Sequence, residues 1–197
     1  MLAFTAVCVM GVIANKEVRE NMKQYWWLMY VGLVGGVILM CVIACSTRKC
    51  PCARKVPINY VILAAFTCFW TLMVTCFTAF FDPFIVAIAA TTTAAMTIGL
   101  VTCSMCVKSE MTCLWGIAGA ISLAMWPMII FFLIWPSMWL SNVICFVGAV
   151  LMSIYIVLDV KLIMNRLNLD EYIIGALMLY ADIIQLFLYL LSLFGGS

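Results

Sequence analysis

The chain has 197 residues, of which 68% are hydrophobic and 9% charged, with a net charge of +2. A soluble domain is near half apolar and a quarter charged, so this chain cannot hide its apolar surface in its own core and must be an integral membrane protein. The small net charge and the lack of basic runs interleaved with aromatics exclude a nucleic-acid partner, and the absence of histidine excludes the usual zinc sites and the usual near-neutral switch.

The first apolar run, "MLAFTAVCVMGVIA", spans about residues 2–14. It gives roughly 20 Å of helix, short of a ~30 Å hydrocarbon core. With no charged n-region it does not resemble a signal peptide, and it reads as a partial, truncated first span. Six longer apolar runs follow: 26–46, 57–80, 84–107, 113–135, 138–164 and 172–194. Each is helix-length and none alternates as a barrel strand would. The expectation is a single all-α transmembrane domain over residues 1–197. Pro57 and Pro83 fall near first helical positions, Asp82 suits a helix start, Pro127 should kink its helix, and "NLDE" (Asn168 to Glu171) resembles a capping box.

Lys and Arg set the expected orientation. Arg48, Lys49, Arg54, Lys55, Lys108, Lys161 and Arg166 lie on one side, against Lys16, Arg19 and Lys23 on the other. This places the amino terminus and the richer loops in the cytosol. The carboxyl terminus is lumenal if the last segment crosses and cytosolic if it re-enters. Of the eleven cysteines, Cys8, Cys41, Cys45, Cys68, Cys76, Cys103 and Cys145 lie in apolar runs and read as small hydrophobes. Cys50 and Cys52, in "RKCPC", lie in a loop and are inert or lipidated rather than zinc ligands, since no second ligand pair has zinc-site spacing.

Two acids interrupt apolar runs: Asp159 in "IYIVLDVKLIM" and Asp182 in "LYADIIQLF". Each costs about 2.5–3.5 kcal/mol at mid-membrane on the insertion scale, so a shared purpose is more economical than two unrelated ones. In the last helix Gly175, Met178, Asp182, Gln185, Tyr189 and Ser192 recur at intervals of three and four. In the preceding helix Gly148, Met152, Tyr155, Asp159 and Arg166 also align. A short turn joins the two helices, so the stripes of antiparallel neighbours can face each other. Tyr155, Gln185 and Tyr189 are pore-lining candidates. Two carboxyls in contact cannot both ionise cheaply and can share a proton. The protonated pair would hold the helices together, and loss of the proton would leave an oxygen site for a passing Ca²⁺. A turn at residues 165–168 sets Asp159 about 9 Å deep and Asp182 about 20 Å, so contact requires an unwound start to the last helix or a marked tilt. The bland alternative is a hydrogen bond from each acid to a tyrosine or a backbone carbonyl. Lys161 reads as a snorkelling lysine at the cytosolic edge, with direct neutralisation of Asp159 as the lesser alternative. Arg48, Lys49, Arg54 and Lys55 either latch the cytosolic mouth or merely face headgroups. Thr91 to Thr97, "TTTAAMT", favours helix packing with interhelical hydrogen bonds over pore lining.

The segments "YIVLDVKLIM" and "NLDEYIIGALMLYADIIQLFLYLLSLFG" resemble the carboxyl-terminal signature of the transmembrane Bax-inhibitor-motif family, which includes the Bax inhibitor, Lifeguard and Golgi anti-apoptotic proteins. The resemblance is strongest to the Lifeguard type. The acid of the family's "YD" motif falls on Asp159 and that of its "LYLDxxNLF" motif on Asp182. Thr91 to Thr93 and the stretch from Lys108 to Gly116 fit the middle region. The resemblance implies a seven-helix bundle with a central last helix. It implies a pH-sensitive Ca²⁺ leak of the endoplasmic reticulum or Golgi, with the plasma membrane as an alternative, protection against cell death, and a basic latch after the second helix. Departures are Leu158 for the motif tyrosine, Lys161 for a glutamine, Gln185 for an asparagine, and Trp70 where many Lifeguard members carry a glutamate.

The leading expectation is therefore a calcium-permeable leak channel with no cofactor. The alternative is a non-conducting adaptor that modulates cell-death or calcium-handling membrane proteins. An intramembrane enzyme is disfavoured, since HExxH, GxSxG and GxGD sequences are all missing.

Overall fold

The computed structural model describes residues 1–49, 58–106, 111–134, 136–166 and 172–196. Eight helices account for nearly all of them: α1 Leu2–Ala14, α2 Lys16–Gln24, α3 Trp27–Lys49, α4 Ile58–Thr78, α5 Pro83–Cys106, α6 Met111–Ile134, α7 Met138–Arg166 and α8 Tyr172–Gly195. By length and composition five of them can cross a membrane, or six if the bent pair of α2 and α3 counts as one span. The described parts of the seven expected segments lie mainly on helices, with α1 as a shorter apolar one. The chain is an integral, all-helical membrane protein.

The helix boundaries have local causes. Asn15 adopts an extended conformation and separates apolar α1 from polar α2. Pro83 opens α5 at the first helical position, where its missing N–H costs no hydrogen bond. Helix α6 runs unbroken through Pro127. Helix α2 lies in what the hydropathy pattern presents as a loop, and the axis turns by 75° between it and α3. Pro57, Lys108, Cys50, Cys52 and the Asn168–Glu171 cap fall outside the described residues.

Two units form within the chain, Met1–Pro83 and Phe84–Ser197. In the first, α4 packs on α1 and α3. Its α3–α4 contact is close because Gly32 lies against the α4 backbone. A Cβ there would come within 2.9 Å of Phe69 O and Met73 N. Small residues at such positions let helices approach in the absence of a hydrophobic driving force. The hydroxyls of Thr5 and Thr71 share a buried 3.0 Å hydrogen bond that ties α1 to α4.

In the second unit α7 packs on both α6 and α8. Its core joins Ala118 and Met125 of α6 to Met152, Ile156 and Leu158 of α7 and to Leu186 and Leu190 of α8. Helices α7 and α8 are the more deeply buried elements, while α5 and α6 expose most of their length. Leu123, Leu133 and Phe84 project outward from α5 and α6, as side chains that meet lipid would.

Candidate functional site

The site lies where α7 and α8 run antiparallel. Side-chain contacts fix their register. Asn142 meets Gly196, Cys145 meets Ser192, and Gly148 meets Tyr189. Gly148 is required by this last contact, because a Cβ there would lie 2.6 Å from the tyrosine ring. Further along, the carboxyls of Asp159 and Asp182 are within hydrogen-bond reach of one another. The two intramembrane acids therefore form a pair.

The depth mismatch between them is closed without unwinding the described part of α8. That helix begins at Tyr172, which sets Asp182 about 15 Å along it, and Asp159 lies about 10 Å from the end of α7 at Arg166. Side chains on a helix lean toward its own N-terminus. In antiparallel helices this tilts Asp159 away from the connection and Asp182 toward it. The leans converge and span the remaining gap of about 5 Å.

The environment is apolar and tight around Asp159, while Asp182 is half-buried. Asp159 is 8% exposed, and Ile156 and Leu158 on the adjoining turn are fully buried. Leu158, which stands where the motif tyrosine is expected, supplies packing and no hydroxyl. An ionised carboxylate in such surroundings is costly unless paired, whereas a protonated acid donating to its neighbour satisfies both groups.

The other stripe residues divide. Tyr189 joins the α7–α8 interface beside the thiol of Cys145, which is in hydrogen-bond contact with Ser141 and Ser192. Gln185 is half-buried on α8. The Tyr155 hydroxyl shares a 2.8 Å hydrogen bond with Ser122 Oγ, so it reaches α6. Met178, expected on the facing stripe, is exposed.

Lys161 does not snorkel. It is only 5% exposed, on a stretch of α7 where Leu158, Asp159 and Val160 are buried as well. The threonine run also differs from expectation. Thr91, Thr93 and Thr97 donate to carbonyls of their own helix, three or four residues back. The polar bridges from α7 to α5 and α6 come from serines the sequence pattern did not single out. Ser122 bonds Tyr155, and Ser104 donates to Val157 O. Single serines in apolar runs carry no periodic signal, which is why they escape a pattern search.

Of the latch candidates, Arg48 and Lys49 occupy the last turn of α3, while Arg54 and Lys55 lie outside the described residues. Among the described residues no group of three or more His, Cys, Asp or Glu could hold a metal ion. A calcium ion takes six to eight oxygen ligands, so two carboxylates suit a passing ion better than a resident one.

The family described as "Inhibitor of apoptosis-promoting Bax1" matches residues 1–197. The mouse (Mus musculus) protein lifeguard 4 is 34% identical over 139 residues, covering 69% of this chain and 57% of the relative. The human (Homo sapiens) protein lifeguard 3 is 27% identical over 188 residues, covering 90% of this chain and 58% of the relative. The mouse protein lifeguard 3 is 25% identical, with 99% and 63% covered. The chain thus spans about three fifths of the length of the curated relatives it matches.

Proposed function

The chain belongs to the Bax-inhibitor family of integral membrane proteins, and from that premise we propose that it is a pH-sensitive, calcium-permeable leak channel gated by Asp159 and Asp182. Its setting is an intracellular membrane, endoplasmic reticulum or Golgi, where such a leak lowers stored calcium and restrains cell death. The observation that carries the reading is the meeting of two carboxyls from neighbouring helices within an apolar core.

The sign of the pH effect follows from the pair. At low pH a shared proton joins the carboxyls and holds α7 to α8. As pH rises the proton leaves, two negative charges face each other, and repulsion in a poorly solvated site drives them apart. The separated carboxylates then offer oxygen to a cation in transit. Calcium flux accordingly rises with pH. The cations Arg48, Lys49, Arg54 and Lys55 are the candidates for a latch on the closed form.

Reconstitution into liposomes holding a calcium-sensitive dye tests this. The expected outcome is flux that increases with pH in the native chain. In Asp182→Asn it should be low and insensitive to pH, because the amide donates to Asp159 at every pH. Absence of flux from the native chain at all pH values would reject the channel and leave the non-conducting adaptor, with cell-death or calcium-handling membrane proteins as its partners.

A further inference from the structure

In the first unit α1, α2 and α4 enclose a groove of about 440 Å³. Its walls include Phe4 and Gly11 of α1, Val18 and Met22 of α2, and Leu72 and Thr75 of α4. That volume falls in the range of small-molecule sites. The groove is open along one side, its lining is almost wholly apolar, and Cys76 anchors α2 over it through a 3.5 Å contact from its thiol to Met22 Sδ.

Helix α2 explains what such a groove would hold. At 100° per residue Val18 and Met22 share the face that meets the groove. Moving around the helix from them in one direction come Arg19, Lys23 and Lys16 in succession. In the other direction come Asn21 and Glu17, and Glu20 closes the circle beside Lys16. The apolar face is thus bordered by cations on one flank and by an amide and a carboxylate on the other. Arg19, the cation nearest the groove, has its Nε buried with no hydrogen-bond partner among the described residues. A buried guanidinium N–H left unmade is costly, and it marks a place for an anionic acceptor.

The depth of the site is also marked. Tyr25, Trp26, Trp27 and Tyr30 are all exposed at the junction of α2 with α3, and the rings of Trp26 and Tyr30 meet edge-on at 5.6 Å. Exposed tryptophan and tyrosine gather at the headgroup level of a bilayer. The 75° turn between α2 and the apolar α3 sets α2 across the axis of α3, next to this aromatic cluster. The cations of α2 thus stand at the level the aromatic cluster marks, with the apolar groove beside them.

We propose that this groove is a binding site for one anionic glycerophospholipid, with an acyl chain between α1, α2 and α4 and the phosphate held by Arg19 and Lys23. A lipid supplies both required chemistries at the required depth, an apolar tail below and an anion above. A cation bordering an apolar slot at the headgroup level separates this seat from the smooth outer faces of α5 and α6, where lipid contact needs no charge. The site is independent of the aspartate pair.

Native mass spectrometry of the full chain in a nonionic detergent tests it. The probes are phosphatidylglycerol, phosphatidylcholine of the same acyl chains, and glycerol phosphate without acyl chains. The native protein should retain phosphatidylglycerol about tenfold more strongly than phosphatidylcholine, the difference of about 1.4 kcal/mol that one charge-assisted contact supplies. Glycerol phosphate should not be retained. Arg19→Gln should remove the preference for the anionic lipid. Gly11→Leu should weaken retention of both lipids, since a Cβ at Gly11 meets nothing within 4 Å and the new side chain fills the groove without disturbing its walls. Should Arg19→Gln fail to fold, the exposed Lys23→Gln serves in its place and must reduce the same preference. Equal retention of the two lipids by the native chain, retention of glycerol phosphate, or undiminished lipid binding by Gly11→Leu would each overturn the proposal.

Discussion

Gly148 shows how one absent side chain sets the geometry of the site. Its bare backbone admits the Tyr189 ring, and that contact fixes the α7–α8 register upstream of the acids. Gly148→Val should force the ring aside and destabilise the protein by about 1–3 kcal/mol, the usual range for overpacking. Thermal unfolding in detergent would measure it, and adding Tyr189→Ala should recover much of the loss by opening room. Such a pairing was only partly legible in the sequence. The three- and four-residue spacing puts Gly148 and Tyr189 on the stripes that contain the acids, but not which side chain yields to which. Leu158 likewise reads as an anonymous apolar residue until its complete burial beside Asp159 is seen.

Among the elements, the long helices were legible because twenty apolar residues have few alternatives in a bilayer, where every backbone polar group must be satisfied internally. Their observed ends fall within a few residues of the hydropathy boundaries. Helix α2 escaped because nine mostly polar residues give no hydropathy signal, although Val18 and Met22 stand one turn apart within them. Lys161 was misplaced because a lysine near the end of an apolar run does not show whether neighbouring elements cover it. Polar links between helices were invisible for a similar reason: a lone serine looks the same whether it bonds its own carbonyl or a neighbour. The Ser122–Tyr155 bond joins α6 to α7. A double-mutant cycle of Ser122→Ala with Tyr155→Phe should give a coupling of about 0.6 kcal/mol, the average for polar contacts between membrane helices. Between α3 and α4 the constraint is harder, because a Cβ on Gly32 meets backbone that cannot rotate away. Gly32→Leu should cost more than Gly148→Val in the same unfolding assay.

At the scale of the whole molecule, composition alone identified a membrane protein, and two acids among apolar residues singled out the candidate site. Their meeting was an inference from spacing that the geometry of α7 and α8 supports. The segments between helices, including part of the basic cluster, carried charge patterns but no periodicity from which to build. The proposed gate has a consequence for the intact chain in a vesicle. Single substitutions Asp159→Asn and Asp182→Asn should each flatten the pH profile of calcium flux, and the double variant should add little, because either change already removes the repulsion. A pH titration of calcium flux into dye-loaded liposomes carrying each of the four proteins would show it. The opposed leans of the two acids add a mechanical property. Eleven residues separate Gly148 from Asp159, but only seven separate Tyr189 from Asp182, so one clasp is a turn out of step with the other. Lengthwise slippage of either rod by a single pitch would unseat the Tyr189 ring from Gly148 as well as break the carboxyl handshake. The glycine seat thereby keeps the hairpin from sliding when the handshake lets go.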